Sequence, residues 1–143
     1  MMSANFKDLI KFSDKIQKLD DVQKDEFLKS CAKELAARLL AKVIKRTPSD
    51  SGTLRRGWTG GKNQNASAYA NSLSIKHVGN KYIIDITNPV EYASYVEYGH
   101  RTRNHHGWVQ GHFMLTISET ELNNMSDKIL QNKLNKFMKD VFT

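Results

Sequence analysis

The segment from about Val22 to Arg46 constrains the fold most, because it is long and contains neither glycine nor proline. Its apolar residues recur every three to four positions, and alanine, leucine, lysine and glutamate fill most other positions. Leu19–Asp21 indicates a break before it, and Pro48 disfavours helical geometry at Thr47. The pattern predicts one long helix with an apolar face that belongs to the core, formed by Phe27, Leu28, Cys31, Leu35, Leu39 and Val43.

Weaker patterns on either side predict the remaining regular structure. Residues 5–19 favour a short amphipathic helix that Asn5 or Ser3 could cap. Leu73–Val78 and Tyr82–Thr87 favour two strands of a hairpin, with a turn at Gly79-Asn80. A helical pattern returns from about Gly111, although Asn123-Asn124 could kink or interrupt it. The predicted fold class is α+β, a small antiparallel sheet packed with a long N-terminal helix and a C-terminal helix.

The polar connections complete a single predicted domain over residues 1–143. Residues 48–52 favour a turn, and Thr53–Trp58 favours an extended or strand-like entry. Thr59–Ser72 is glycine-rich at its start and polar, so we expect a mobile loop near residues 59–72. A second mobile loop is expected near residues 101–110.

Composition limits the classes of partner without choosing one. The net charge of +7 permits an acidic partner, but the excess of lysine and arginine is diffuse along the chain rather than a stripe. The single cysteine, Cys31, cannot form an internal disulfide, and its apolar neighbours favour a core position. No apolar run approaches the ~20 residues that cross a bilayer, so we expect a soluble protein made in the cytoplasm, with no membrane partner.

The stretch from Pro89 to Leu115 is the most unusual part of the sequence. Ala93 and Val96 have helical spacing after a proline and predict a short helix. Gly99 predicts a stop at a left-handed position. A basic loop rich in histidine follows, closed by Gly107 and Gly111. Four of the five histidines lie in this stretch, namely His100, His105, His106 and His112.

Catalytic patterns are missing from the sequence. The histidines lie in a loop without the spacing of zinc ligands, and no carboxylate follows them until Glu119. Glu91 and Glu97 fall on different sides of a helix, and the chain has no nucleophile elbow or phosphate-binding loop. We therefore predict no catalytic residue, no metal and no cofactor, with a metal-dependent nuclease at the histidine loop as the alternative.

Arginine and aromatic residues occur together in two segments and favour an interface. Such residues either bind phosphates and stack on bases or form hot spots between proteins. Glu97 is expected to form an exposed pair with Arg101, Arg55 or Arg56. Both tryptophans are candidates for interface anchors or for internal core residues. The predicted interface residues are Arg55, Arg56, Trp58, Tyr92, Tyr95, Glu97, His100, Arg101, Arg103 and Trp108.

Two patches give the chain a family resemblance. The first runs from Arg46 to Trp58 and contains Thr-Pro-x-Asp-x-Gly-x-Leu-Arg after a long helix. The second, Tyr92-Ala93-x-x-Val96-Glu97-x-Gly99-His100, is more specific and is followed by the segment from Gly107 to Leu115. The combination resembles the minor tail-component, neck or tail-completion proteins of long-tailed (siphovirus-type) phages and prophages. It departs from them at Val109-Gln110, where members often carry a proline before the glycine that matches Gly111.

This resemblance implies a non-enzymatic protein that assembles at the head–tail junction of a virion. It implies a ring of identical subunits, with a hexamer as one option, in contact with head-completion and tail-terminator or tail-tube proteins. It also implies passing contact with DNA, and a location in the virion and, during assembly, in the host cytoplasm. A tail-tube or tail-length component is a second structural option. The competing class is a basic DNA-binding protein or accessory nuclease that uses the histidine loop.

Overall fold

The structure is a computed structural model that describes residues 4–5, 20–48, 52–61, 64–79 and 81–142. This part of the chain has the predicted α+β architecture, with long helices and small antiparallel sheets. The elements are β1 (Ala4–Asn5), α1 (Asp21–Arg46), α2 (Thr53–Gly57), α3 (Ala66–Ser72), β2 (Lys76–Val78), β3 (Lys81–Ile84), α4 (Ala93–Tyr98), β4 (Gly99–Arg101), β5 (Trp108–Gln110) and α5 (Met114–Phe142).

Helix α1 confirms the long helix and both of its predicted ends. The Asp20 carboxylate accepts a hydrogen bond from the backbone N–H of Gln23 at 2.7 Å, and the Gln23 side chain accepts one from the Asp20 N–H. This reciprocal cap satisfies two N–H groups that have no partner inside a helix. All six predicted core residues are buried. They include Cys31, and burial raises the pKa of its thiol to about 12.

Helix α5 packs antiparallel along α1. Phe27, near the start of α1, lies 4.8 Å from Phe137, measured between ring centroids. At the other end, Glu121 pairs with Lys42 at 3.1 Å and with Arg46. Helix α5 continues through positions 123 and 124, so the asparagine pair does not interrupt it. In the part of the chain that the structure describes, neither of these long helices nor any other is apolar enough to span a membrane.

The first sheet has three antiparallel strands in the order β1-β3-β2. The predicted β2–β3 hairpin is confirmed, with shorter strands, and Gly79 in its turn has a φ of +60°. Tyr82 on β3 is buried and donates a hydrogen bond to the Asp25 carboxylate of α1 at 2.9 Å. Burial, together with this bond, raises the pKa of Tyr82 to about 12. The predicted helix over 5–19 falls almost wholly outside the described residues, whereas Asn5 lies in β1.

Two predictions for the segment after α1 are wrong. Thr53–Trp58 is not extended, because residues 53–57 form helix α2, which places Leu54 and Trp58 one turn apart with both side chains buried. The loop prediction for residues 59–72 missed helix α3. The Asn65 side chain accepts a hydrogen bond from the Ala68 N–H at 2.7 Å, and Ala70 is buried. In both segments a short helical pattern was hidden by neighbouring glycines and polar residues.

Candidate functional site

The first sequence patch folds back onto the end of α1. The fully buried Trp58 donates a hydrogen bond from Nε1 to Oγ1 of Thr47 at 2.9 Å. That hydroxyl in turn donates to the Val43 carbonyl at 2.7 Å, and Nε of Arg55 donates to the Thr47 carbonyl at 2.7 Å. Trp58 is therefore an internal core residue, and the interface role that we expected for it is wrong.

Asn88 joins this patch to the segment that leads into α4. Its side chain is buried, donates to the Leu54 carbonyl at 2.8 Å and accepts from the Val90 N–H at 3.1 Å. A methyl group on Gly57 would overlap Asn88 and Val90, so a glycine is needed for this close approach. Together, the side chains of Thr47, Leu54, Trp58 and Asn88 form what we call the clasp.

Glu97 on α4 caps the start of α5. Its buried carboxylate accepts hydrogen bonds from the backbone N–H groups of Leu115 and Thr116, both at 2.9 Å, and from the Thr116 hydroxyl at 2.7 Å. Phe113, which precedes α5, has no side-chain oxygen that could cap this helix. The Glu97 carboxylate of α4 supplies the cap instead. The exposed pair between Glu97 and an arginine that we expected is wrong, because these three donors hold the carboxylate inside the protein.

The Glu97 charge affects a second carboxyl group on α5. Glu119 is half-buried, and its pKa is raised first by burial and second by repulsion from Glu97. The start of α5 thus holds two carboxyl groups of different character. Glu97 is satisfied by hydrogen bonds, whereas Glu119 is held in an environment that disfavours its charged form.

The histidine-rich segment is a hairpin, which we call the arm and define as Gly99–Gln110. Strands β4 and β5 pair antiparallel, with His100 opposite Val109 and Arg101 opposite Trp108. The prediction of a loop over residues 101–110 therefore missed strand β5 and the end of β4. No described strand pairs with either outer edge of this two-stranded sheet.

Hydrogen bonds within the turn of the arm hold its shape. The Thr102 N–H donates to the Gly107 carbonyl at 3.0 Å, and the Gly107 N–H donates to the Thr102 hydroxyl at the same distance. Oδ1 of Asn104 accepts from that hydroxyl at 2.7 Å and from the His106 N–H at 3.1 Å. His105 adopts a φ of +61° between them. The turn is thus ordered by its own side chains.

The root of the arm is a close crossing of two backbone segments. Gly99 has a φ of +88°, which confirms the predicted stop, and a methyl group on Gly111 would overlap the backbone of residues 97–99. The His112 N–H donates to the Val96 carbonyl at 2.7 Å, and the next N–H donates to the Glu97 carbonyl at 2.9 Å. The arm is therefore fixed at its root by main-chain hydrogen bonds to α4.

Exposed aromatic side chains cover α4 and the arm. Trp108 and Tyr95 are each 59% exposed, and Tyr98 and Tyr92 are also exposed, as is Val109. The tyrosines recur every three residues, which places them along one side of α4. Tyr98 and Val109 were missed by the sequence analysis, although the tyrosine spacing could have indicated Tyr98.

Polar residues among these aromatics give the surface a positive charge. Arg101 and Arg103 are exposed. His100 is half-buried, with its ring 5.6 Å from that of Tyr95, and its Nδ1 is buried without a hydrogen-bond partner among the described residues. Of the ten predicted interface residues, six lie on the arm, on α4 or at the start of α4: Tyr92, Tyr95, His100, Arg101, Arg103 and Trp108. Arg55, Trp58 and Glu97 have internal partners, and Arg56 lies exposed on α2.

A cleft lies beside the tyrosine-bearing side of α4. Its volume is about 480 Å³, and it is lined by residues that include Pro89, Val90, Glu91, Ser94 and Tyr98. We call it the α4 cleft. Of the described residues that line it, Glu91 is the one with a charge. Within the described ranges, the structure has no cluster of three histidine, cysteine or carboxylate residues that could hold a metal ion.

Comparison with known proteins places the chain beside a known family. The model of a family described as "Bacteriophage HK97-gp10, putative tail-component" matches residues 10–99. No curated protein and no solved structure matches the chain. The matched residues include α1, the clasp and α4, and they make up more than half of the chain. The chain therefore belongs to the HK97-gp10-like family of phage tail components, which have a structural role in phage assembly.

Proposed function

We propose that this protein is a non-enzymatic ring subunit at the head–tail junction of a long-tailed phage, as a neck or tail-completion protein. Its family supports a structural role in the tail. The observation that carries the proposal is the arm, an ordered hairpin with exposed tryptophan and arginine side chains. Its partners are further copies of the chain and the adjoining head-completion and tail-terminator or tail-tube proteins, within the virion.

The arm has the composition and the rigidity of an assembly surface. Tryptophan, tyrosine and arginine are enriched in the residues that dominate binding energy between proteins. An isolated two-stranded hairpin is marginally stable in water, and contiguous exposed apolar surface commonly marks a binding site. Because Asn104 and Thr102 already order the turn, little conformational entropy is lost when a partner covers it.

The first test is to disrupt the gene in its phage or prophage and to image the induced lysate by electron microscopy. We expect filled heads beside separate tails of normal length, and a wild-type gene supplied in trans should restore joined particles. Tails of abnormal length would place the protein in tail assembly instead. Intact and normally joined virions would overturn the structural proposal.

A DNA-binding or nuclease function is the second candidate, and the cationic arm with its exposed tryptophan favours it. Phosphate contacts by Arg101 and Arg103 would make binding to duplex DNA fall steeply as salt increases. Nicking would require a divalent metal and would be lost in His105→Ala and His106→Ala variants. If purified protein shows neither salt-dependent binding nor metal-dependent nicking, this candidate is excluded.

A further inference from the structure

We propose that the arm of one subunit docks into the α4 cleft of the next copy of the chain, with Trp108 inside the cleft and the two arginines of the arm facing Glu91. This inference rests on the proposed ring and names the contact that builds it. It joins two features of the structure: a tryptophan that is 59% exposed, and a cleft in which Glu91 is the one carboxylate among the described lining residues.

The arm is cationic without local compensation. From residue 98 to residue 118 the sequence contains two arginines and four histidines but no aspartate or glutamate. The nearest upstream carboxylate, Glu97, is buried and fully occupied at the start of α5. Arg101 lies directly opposite Trp108 in the hairpin, so a partner that covers the indole also meets this positive charge.

The α4 cleft offers the complementary chemistry. Pro89, Val90 and the Tyr98 ring supply apolar walls, and Glu91 supplies a negative charge. Its volume of about 480 Å³ falls in the range of sites that enclose organic ligands, about 300–1,000 Å³. Trp108 is not among the residues that line the cleft of its own chain, so the indole is available to a neighbouring chain.

Charge also decides the symmetry of the contact. Two arms placed against each other would bring Arg101 and Arg103 of both chains together, and like charges at an interface are costly. An arm in a cleft brings opposite charges together, and it uses different surfaces on the two chains. Such a head-to-tail contact closes into a ring when the rotation between successive subunits is a whole fraction of a full turn. The proposed function requires a closed ring of this kind.

Cysteine cross-linking in assembled particles tests the contact directly. In a chain with both Trp108→Cys and Ser94→Cys, oxidation should join successive subunits into a ladder of disulfide-linked multimers that a reductant collapses. Neither single variant should form the ladder, and the two single variants produced together should stop at dimers. The native Cys31 is buried, with a thiol pKa of about 12, and stays unreactive.

A charge exchange tests the same contact while Trp108 is retained. Glu91→Arg alone, or Arg101→Glu with Arg103→Glu, should reduce the number of joined particles about tenfold or more, since each places like charges together. All three changes in one chain should restore it. Asp127→Arg, an exposed change on α5, is the matched control and should have no effect.

The outcomes separate this inference from the function on which it rests. Joined particles that contain the double-cysteine chain but show no ladder would overturn the contact and leave the ring proposal standing. Joined particles that never contain the wild-type chain would overturn both. If loss of Trp108 prevents assembly, the charge exchange decides, and failure of the triple variant to restore joined particles counts against the contact.

Discussion

The two tryptophans occupy opposite kinds of environment, although each follows a pair of arginines in the sequence. Trp58 has no exposed surface, and its indole N–H is bonded to Thr47, whereas Trp108 is 59% exposed on the arm. The clasp around Trp58 is held by buried hydrogen bonds from the Thr47 and Asn88 side chains to backbone carbonyls. The arm around Trp108 is held by its turn and root, which leaves its aromatic surface free for a partner.

This difference separates the residues that stabilise the fold from the residues that are exposed to a partner. Thr47, Leu54 and Trp58 of the first patch, and Glu97 and Gly99 of the second, are internal. They fill the core, satisfy a helix end or allow backbones to approach. The surface suited to assembly comes from residues between and after those positions: Tyr92, Tyr95, Tyr98, Arg101, Arg103 and Trp108. A short motif in this chain thus marks the scaffold more than it marks the contact surface.

The largest expected difference is between the two tryptophan variants. Trp58→Ala should lower the free energy of unfolding by about 3–5 kcal/mol, because it leaves a cavity and removes the partner of Thr47. Trp108→Ala should lower it by less than about 0.5 kcal/mol while reducing particle assembly. Urea unfolding followed by circular dichroism measures the unfolding free energy of both variants. Equal losses in the two variants would contradict the division between clasp and arm.

The next largest effect should come from the cap of α5. Glu97→Ala leaves two backbone N–H groups and a hydroxyl without their charged acceptor, and should cost about 2–3 kcal/mol of unfolding free energy. Glu91→Ala is the control on the same segment and should cost less than about 0.5 kcal/mol, since Glu91 is exposed. A cost for Glu97→Ala no greater than that of the control would show that the cap contributes little.

A smaller difference should separate two asparagines. Asn88→Ala removes the bridge between Leu54 and Val90 inside the clasp and should cost about 1–3 kcal/mol. Asn104→Ala removes only exposed bonds in the turn of the arm, so its cost should be about 0.5–1 kcal/mol. Thermal unfolding of the two variants gives the comparison, and a reversed order would argue that the turn, not the clasp, is the more critical polar site.

The smallest effect concerns the pH dependence from Glu119. Its raised pKa means that the folded protein binds this proton more tightly than the unfolded chain does. Stability therefore falls as the pH rises from the ordinary pKa of a glutamate, 4.5, through the raised value. Glu119→Gln should therefore be slightly more stable at neutral pH, by less than about 0.5 kcal/mol for this partly exposed group. This gain should vanish in acid. Denaturant titrations of both proteins at pH 4 and pH 7 measure the difference, and a variant less stable than the wild type at pH 7 would contradict the prediction.

The sequence predicts elements whose periodic pattern is long or whose turn is distinctive. Helix α1, its stop before Pro48, the β2–β3 hairpin and the glycine at the end of α4 are all confirmed. These features depend on local preferences that no tertiary contact opposes. Helices α2 and α3 were missed, because five to seven residues beside Gly60-Gly61 carry too few apolar positions to establish a period.

The candidate site was predictable in its composition but not in its geometry. Tyr95, Arg101 and Trp108 could be selected as interface candidates from their type alone, and all three are exposed. The burial of Glu97 could not, because its three donors lie 18 and 19 residues further along the chain and become available only when α5 starts beside α4. In the same way, only the folded structure shows which tryptophan reaches Thr47.

The crossing at the root of the arm has a mechanical consequence. A pull on the arm passes to the main-chain hydrogen bonds between residues 112–113 and α4, and to the Glu97 carboxylate at the first turn of α5. From there it enters a helix of 29 residues, about 43 Å long, that is packed along α1. Tension at the tip of the hairpin is thereby carried as axial load along the length of the subunit.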